Sequence, residues 1–255
     1  MVENPATRRE AMAIIRETIA SEMKAGRRCL VGIDVSLGFP VGTASVLGLT
    51  GRPRWRATWR ALESRSSDSE ENLNNRIAVA DALNAESGVR LFWGRPVAKS
   101  FEQFRNVPVR NLAVPGLAEN PLARLRRCER IAGGGVQSNW MLVGRGAVGG
   151  QVLTCLPYLE RLVSDLGDAI AVWPFCGFFD PGTPVVLAET WHSIFAFDES
   201  QASCRDEAQV RGTAEAVRLH NAALDPWFAP PSLLALSKAE QSRIHREEGW
   251  TFGVL

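Results

Sequence analysis

The spacing of apolar residues changes from helical to strand-like within the first 35 positions. Thr7 and Glu10 fit a capping box at the start of a predicted helix. Its apolar stripe, with spacings of three and four residues, consists of Met12, Ile15, Ile19 and Met23. Residues 29–35, CLVGIDV, form a continuous apolar run instead. Such a run is typical of a strand buried on both faces, as in a parallel sheet.

Further along the chain, helical and strand patterns alternate. The predicted elements are an irregular segment at 41–70, a helix at about 71–85, a basic helix from Asn120-Pro121 to Gly133, a leucine-striped helix at 151–166, strands at 169–174 and 185–191, a helix at about 205–223 and a last helix from Ser237. This order predicts one α/β domain over residues 1–255, with a largely helical and irregular insertion at about 41–150.

Composition narrows the class of protein. The five cysteines lie far apart without a C-x-x-C pair, which argues against a disulfide framework or a zinc site. No run of about 18 apolar residues occurs, so we expect no membrane span and a cytoplasmic protein. Residues 91–150 carry nine Lys/Arg and three Asp/Glu, whereas residues 151–208 carry two and nine. This asymmetry is either a binding surface beside a metal site or two solvated faces.

Several segments together resemble a known family. They are VGIDVSLGFP, the stretch from LRRCERIAGGG to LPYLERL, AVWPF, VVLAETWHSIF, RDEAQV and EEGWTFGVL, in an order that covers most of residues 28–255. They resemble the predicted RNase H-like nucleases, a family of unknown function. The resemblance implies an RNase H-like mixed sheet flanked by helices. NPATRREAMAII and the NNR at 74–76 resemble a bacterial subgroup often labelled molybdopterin-guanine dinucleotide or cobalamin biosynthesis protein.

The sequence departs from the family pattern at its start. Family members carry a strand with an acidic residue upstream of the first helix, and this sequence opens on the helix. Either an upstream segment supplies that strand or the sheet is completed differently. A sheet without it would leave the edge of the 29–35 strand unpaired, so we expect homodimerisation there.

The resemblance also implies a site for Mg²⁺ or Mn²⁺, with Asp34, Glu189 and Asp206 as catalytic carboxylates and Asp34 and Asp206 as metal ligands. Hard cations prefer such oxygen ligands. Each residue has a structural alternative. Asp34 would cap the turn after its strand, Glu189 would pair with an arginine, and Asp206 would form a capping pair with Ser203.

Basic residues are the candidates for binding substrate. Arg76 follows Asn74-Asn75, and Arg124, Arg127 and Arg130 belong to the predicted basic helix. They would contact phosphates of nucleic acid or a nucleotide, or else form solvated helix faces. The glycine stretches at 133–135 and 144–150 match no P-loop and are interpreted as loops. His192 is a candidate base or a structural strand histidine.

These observations predict a divalent-metal-dependent phosphodiesterase or nuclease of RNase H-like type. The alternative is a non-catalytic RNase H-like protein that binds a nucleotide, a cofactor precursor or a protein partner, with a link to molybdenum-cofactor or cobalamin biosynthesis resting on the family labels. Fold alone does not decide between them.

Overall fold

The computed structural model describes residues 2–133 and 136–254, which fall into two compact units. Unit 1 contains residues 2–34, 168–245 and 250–254, and unit 2 contains residues 35–133, 136–167 and 246–249. The predicted insertion at 41–150 falls within the sequence span of unit 2. Two residues of the glycine stretch at 133–135, Gly134 and Gly135, lie outside the described residues.

The chain is a mixture of helices and short strands, as predicted. The α-helices are α1 (Arg8–Lys24), α2 (Thr43–Val46), α3 (Arg54–Glu63), α4 (Arg76–Ser87), α5 (Arg127–Ala132), α6 (Gly149–Leu166), α7 (Arg205–Leu219), α8 (Asp225–Phe228), α9 (Pro231–Leu234) and α10 (Lys238–Arg243). The strands are β1 (Cys29–Ile33), β2 (Val89–Arg90), β3 (Ala118–Glu119), β4 (Ile170–Val172), β5 (Val185–Thr190) and β6 (Thr251–Phe252).

Unit 1 is built on a four-stranded sheet with β5 at its centre. The strand order is β1-β5-β4, and β6 pairs with the last two residues of β5. Every pairing in this sheet is parallel, so the predicted mixed sheet is wrong for the described residues. The strands predicted at 169–174 and 185–191 are confirmed as β4 and β5, because both are continuous apolar runs bounded by turn residues.

The predicted burial of β1 on both faces is wrong. Its residues are half-buried and Gly32 is exposed. Among the described residues only β5 pairs with this strand, so β1 lies at the edge of the sheet. In contrast, all six residues of β5 are buried.

Aromatic side chains fill the core of unit 1 beside β5. The ring centroid of Phe252 lies 4.9 Å from that of Phe228 and 5.6 Å from that of Trp173. The indole N–H of Trp173 donates to the carbonyl oxygen of Phe228 at 3.1 Å. This cluster ties the C-terminal segment to the centre of the sheet.

Unit 2 has α3 packed on α6 at its core. The segment predicted to be irregular at 41–70 contains α3, whose Trp55, Trp59 and Leu62 are buried on one face. The arginines between them concealed this stripe in the sequence. Arg56 and Arg60 both bind the buried carboxylate of Glu160 at 3.1 Å. Leu156, Leu159 and Leu162 of α6, expected to be buried against the late strands, are at most 2% exposed, and α3 of unit 2 packs on this helix.

Two helices begin later than predicted. The start predicted at residue 71 is wrong, because Asn72 adopts a left-handed conformation (φ 62°) in a turn and α4 begins at Arg76. The basic helix predicted from Pro121 begins only at Arg127, because Arg126 is extended and its backbone N–H donates to the Glu129 side chain at 2.7 Å. Arg126 is also fully buried, its Nε donating to Glu129 at 2.8 Å.

Two adjacent glutamates, Glu247 and Glu248, bind backbone N–H groups of other segments of unit 2. Glu247 accepts hydrogen bonds from the backbone N–H groups of Gly42 and Ala44, at 2.9 and 2.6 Å. Glu248 accepts from the N–H groups of Val41 and Arg127, at 3.1 and 3.0 Å. Both glutamates are buried, and backbone donors satisfy their charge.

Candidate functional site

Two predicted acidic residues lie where strands of unit 1 end. Asp34 directly follows β1, and Glu189 is the penultimate residue of β5. Ile33 is the register partner of Glu189, so Asp34 follows that pair by one residue. Because the strands are parallel, both acids lie at the end of the sheet where the strands have their carboxyl termini. α/β proteins place their binding sites at this end.

Helix α7 supplies the third predicted acid. Asp206 lies in the first turn of α7 and is exposed. The predicted capping pair of Ser203 with Asp206 is wrong, because Ser203 donates to Glu207 instead, at 2.8 Å from its N–H and 2.6 Å from its hydroxyl. These bonds, together with the Arg211 guanidinium, lower the pKa of Glu207 to about 2. The carboxylate of Asp206 accepts no hydrogen bond from a described residue.

The electrostatics of Asp34 show that these groups are neighbours. Although Asp34 keeps solvent contact, loss of hydration raises the pKa of its carboxyl group above the usual value. His192 lowers this pKa, and the negative charges of Glu189 and Asp206 raise it. All three predicted carboxylates therefore act on one another. Asp34 itself accepts no hydrogen bond from the described residues.

Glu189 is the most buried member of the group. It is fully inaccessible to solvent, and the Thr251 hydroxyl donates to its Oε1 at 2.9 Å. Thr251 is also its register partner across the β5–β6 pair. The strand pairing therefore delivers a hydrogen-bond donor to a carboxylate that burial would otherwise penalise.

His192, a candidate base in the sequence, lies close enough to Asp34 to act on its charge. Its Nδ1 lies 2.8 Å from the hydroxyl oxygen of Thr213, and that hydroxyl donates to the Gln209 carbonyl oxygen at 2.9 Å. A hydroxyl has one proton, so Nδ1 of His192 is the donor in this pair, and Nε2 faces away from Thr213. Thr213 lies two helical turns after Asp206 on the same face of α7.

The residues fit the donor chemistry of a hard cation only in part. Asp34 and Asp206 offer carboxylate oxygens without competing hydrogen bonds. Yet in the chain described here no three His, Cys, Asp or Glu residues are arranged to hold a metal ion.

The arginines predicted to bind substrate all lie in unit 2. Arg124 and Arg130 are exposed, and Arg127 is half-buried at the start of α5. Arg76 begins α4 and donates from Nη1 to the Asn74 side chain at 2.9 Å. It lines a cavity of about 20 Å³, which has room for a water molecule and is too small for a phosphate.

Comparisons with known proteins assign no relative. No family model matches the chain, and neither a curated protein nor a solved structure matches it. Within the described residues, no helix combines the length and apolar composition that a membrane span requires. No disulfide joins the cysteines of this part of the chain.

Proposed function

We propose that unit 1 is an RNase H-like, divalent-metal-dependent phosphodiesterase that acts on nucleic acid. Asp34 and Asp206 would hold Mg²⁺ or Mn²⁺, and Glu189 would be the third carboxylate of the site. A parallel sheet with acids at the carboxyl ends of two strands, and one more on the following helix, supports this assignment.

One observation carries the proposal. The Asp34 carboxylate loses hydration, has no hydrogen-bond donor among the described residues, and is repelled by Glu189 and Asp206. Like charges gathered in this way destabilise a fold unless a cation neutralises them. Perturbed titration in such a cluster is a hallmark of functional sites.

Each residue of the site would have its own role in the proposed reaction. Asp34 and Asp206 would bind the cation through their unshared oxygens, and Glu189 would stay fixed by Thr251. A bound divalent ion supplies an activated water and neutralises charge on the phosphodiester. His192, oriented by Thr213, presents Nε2 as a proton acceptor close to Asp34.

The test measures metal binding and cleavage separately. We expect Mn²⁺ to bind the full chain by calorimetry, and cleavage of single-stranded and duplex substrates to require it. Asp34→Asn and Asp206→Asn should each weaken Mn²⁺ binding about tenfold or more, a loss of about 1.4 kcal/mol or more, because an amide carries no charge to neutralise the cation. Asp168→Asn is the matched control. Asp168 is exposed and precedes β4, so it lies at the amino-terminal ends of the strands, away from the acids at their carboxyl ends.

A second function has an observation in its favour. The absence of a ready three-ligand group in the described residues, and the engagement of Glu189 by Thr251, favour a non-catalytic RNase H-like protein. Such a protein would bind a nucleotide, a cofactor precursor or a protein partner. A folded chain that binds no Mn²⁺ at millimolar concentration would decide for this alternative.

A further inference from the structure

Unit 2 contains a cavity that the proposed reaction does not use. Its volume is about 590 Å³, within the range of about 300–1,000 Å³ typical of small-molecule sites. Strand β2 forms one part of the wall through Arg90, and the segment before α5 forms another through Arg124. Two arginines therefore line one cavity.

Arg90 is an unusual wall residue because it is a buried cation. Its side chain is 9% exposed, and its Nε is buried without a hydrogen-bond partner in the described residues. The acid paired with it is Glu119, whose Oε1 lies 4.0 Å from Nη2 and which is itself 88% exposed. A buried guanidinium with so weak a counter-charge is costly, and a bound anion would neutralise it.

Arg124 adds a second positive charge. The residue is exposed, and its guanidinium has no hydrogen-bond or ion-pair partner among the described residues. Its backbone is fixed instead, because the Ser138 hydroxyl donates to the Arg124 carbonyl oxygen at 2.8 Å. Guanidinium groups match the oxygens of a phosphate through paired N–H donors.

Two tryptophans also line the cavity, and they differ in their roles. Trp140 is buried, contacts the Phe92 ring at 5.3 Å between centroids, and donates its indole N–H to Ala123 at 3.1 Å. Trp93 is half-buried and its ring contacts no other aromatic ring in the described chain. A tryptophan face of this kind is a platform on which a nucleobase stacks.

We propose that this cavity binds a nucleoside phosphate, with the base stacked on Trp93 and the phosphate between Arg90 and Arg124. The ligand is either a free mononucleotide or the phosphorylated end of a single strand, which share this chemistry. The site lies wholly in unit 2 and is independent of the reaction proposed for unit 1.

The test titrates the full chain by calorimetry with four probes: AMP, adenosine, inorganic phosphate and a 5′-phosphorylated hexadeoxyadenylate. We expect AMP or the oligonucleotide to bind at least about tenfold more tightly than adenosine or phosphate, since each charged hydrogen bond is worth about a factor of ten. Preference for AMP identifies a free nucleotide, and preference for the oligonucleotide identifies a strand end. Binding of neither, or of phosphate as tightly as AMP, would overturn the proposal.

Variants locate the site. Arg90→Met should weaken AMP binding about tenfold or more and raise the thermal unfolding midpoint, because it removes a buried charge for which Glu119 is only a weak partner. A lower midpoint would show that Arg90 is structural and would count against the site. Trp93→Ala should weaken binding of AMP and leave that of phosphate unchanged.

Two controls separate this site from others. Arg105→Gln removes an exposed arginine of the same unit outside the cavity and should leave AMP binding unchanged. Asp34→Asn should also leave it unchanged, so that loss of Mn²⁺ binding and loss of AMP binding are distinguishable. An equal effect of Arg105→Gln and Arg90→Met would mean that AMP binds by surface charge alone.

Discussion

At the scale of single residues, two buried threonines beside Glu189 have opposite surroundings. Thr251 donates its hydroxyl to the Glu189 carboxylate, whereas the Thr190 hydroxyl is buried without a partner in the described residues. The Thr190 side chain lies over Gly32, where a Cβ would approach it to 2.9 Å. Because both residues are buried threonines, the same substitution at each position isolates the effect of the hydrogen bond from Thr251 to Glu189.

We predict different effects of valine at these positions. Thr251→Val should lower the free energy of unfolding by about 1–3 kcal/mol, because it removes a hydroxyl donor from a buried carboxylate. Thr190→Val should leave stability unchanged or increase it, because it removes an unsatisfied hydroxyl. Chemical denaturation of both variants measures the difference, and equal losses would contradict the assigned hydrogen bond.

Asp34 should make stability depend on pH in an unusual direction. Its pKa is raised in the folded state, so the folded chain holds this proton more tightly than the unfolded chain does. The contribution of Asp34 to stability therefore falls as the pH rises from the ordinary aspartate pKa of about 3.9 through the raised value. Above that window the ionised carboxylate destabilises the fold.

It follows that Asp34→Asn should raise the thermal unfolding midpoint at pH 7 and that the gain should vanish below about pH 3.9. Asp168→Asn, a comparison variant at an exposed position, should leave the thermal unfolding midpoint unchanged at both neutral and acidic pH. Differential scanning calorimetry across this pH range measures both. A lower midpoint for Asp34→Asn at pH 7 would mean that the carboxylate stabilises the fold.

At the scale of elements, α6 shows which patterns can be interpreted without a structure. Its leucines recur along one face and are buried as predicted, and Pro157 is accommodated inside the helix. Helix α3 has an equally buried face, but arginines separate Trp55 from Trp59 and mask the period. The two helices pack together in the core of unit 2. The sequence predicted α6, and only the structure identified α3 as its partner.

We predict that Leu156→Ala lowers the free energy of unfolding by about 2–5 kcal/mol, because it opens a cavity in a packed core. Leu73→Ala is the matched control, since Leu73 is 73% exposed and should change stability by less than about 0.5 kcal/mol. Urea denaturation measures both variants. A small effect at Leu156 would place the core of unit 2 elsewhere.

At the scale of the whole molecule, the position of β1 at the edge of its sheet bears on association. Among the described residues, β1 pairs with β5 on one side only. An edge with free backbone N–H and C=O groups is adhesive, and a second copy of the chain offers the same edge. We therefore propose homodimerisation through β1.

Hydrogen exchange at two protein concentrations tests this association. The amides of β1 should exchange more slowly at the higher concentration, and sedimentation should show a matching dimer. The amides of β5, which has neighbouring strands on both sides from its own chain, are the internal control and should not change. A monodisperse monomer across the concentration range would contradict the proposal.

Local patterns in the sequence were sufficient to predict α1, the leucine-striped α6, β4, β5 and the Ser237 cap of α10. Each depends on residues within about two turns or one strand, and burial follows from their apolar spacing. The acidic residues at 34, 189 and 206 were selected through the resemblance to the RNase H-like nucleases, which implies carboxylates at strand ends and on the closing helix.

Only the tertiary structure decided how those groups are used. Whether Ser203 binds Asp206 or Glu207, which proton His192 carries, and where Glu247 and Glu248 find backbone donors depend on atoms brought together in the folded chain. The Arg90 cavity likewise joins segments about 30 residues apart. Hydrogen bonds and desolvation act over a few ångströms in space and leave no period in the sequence.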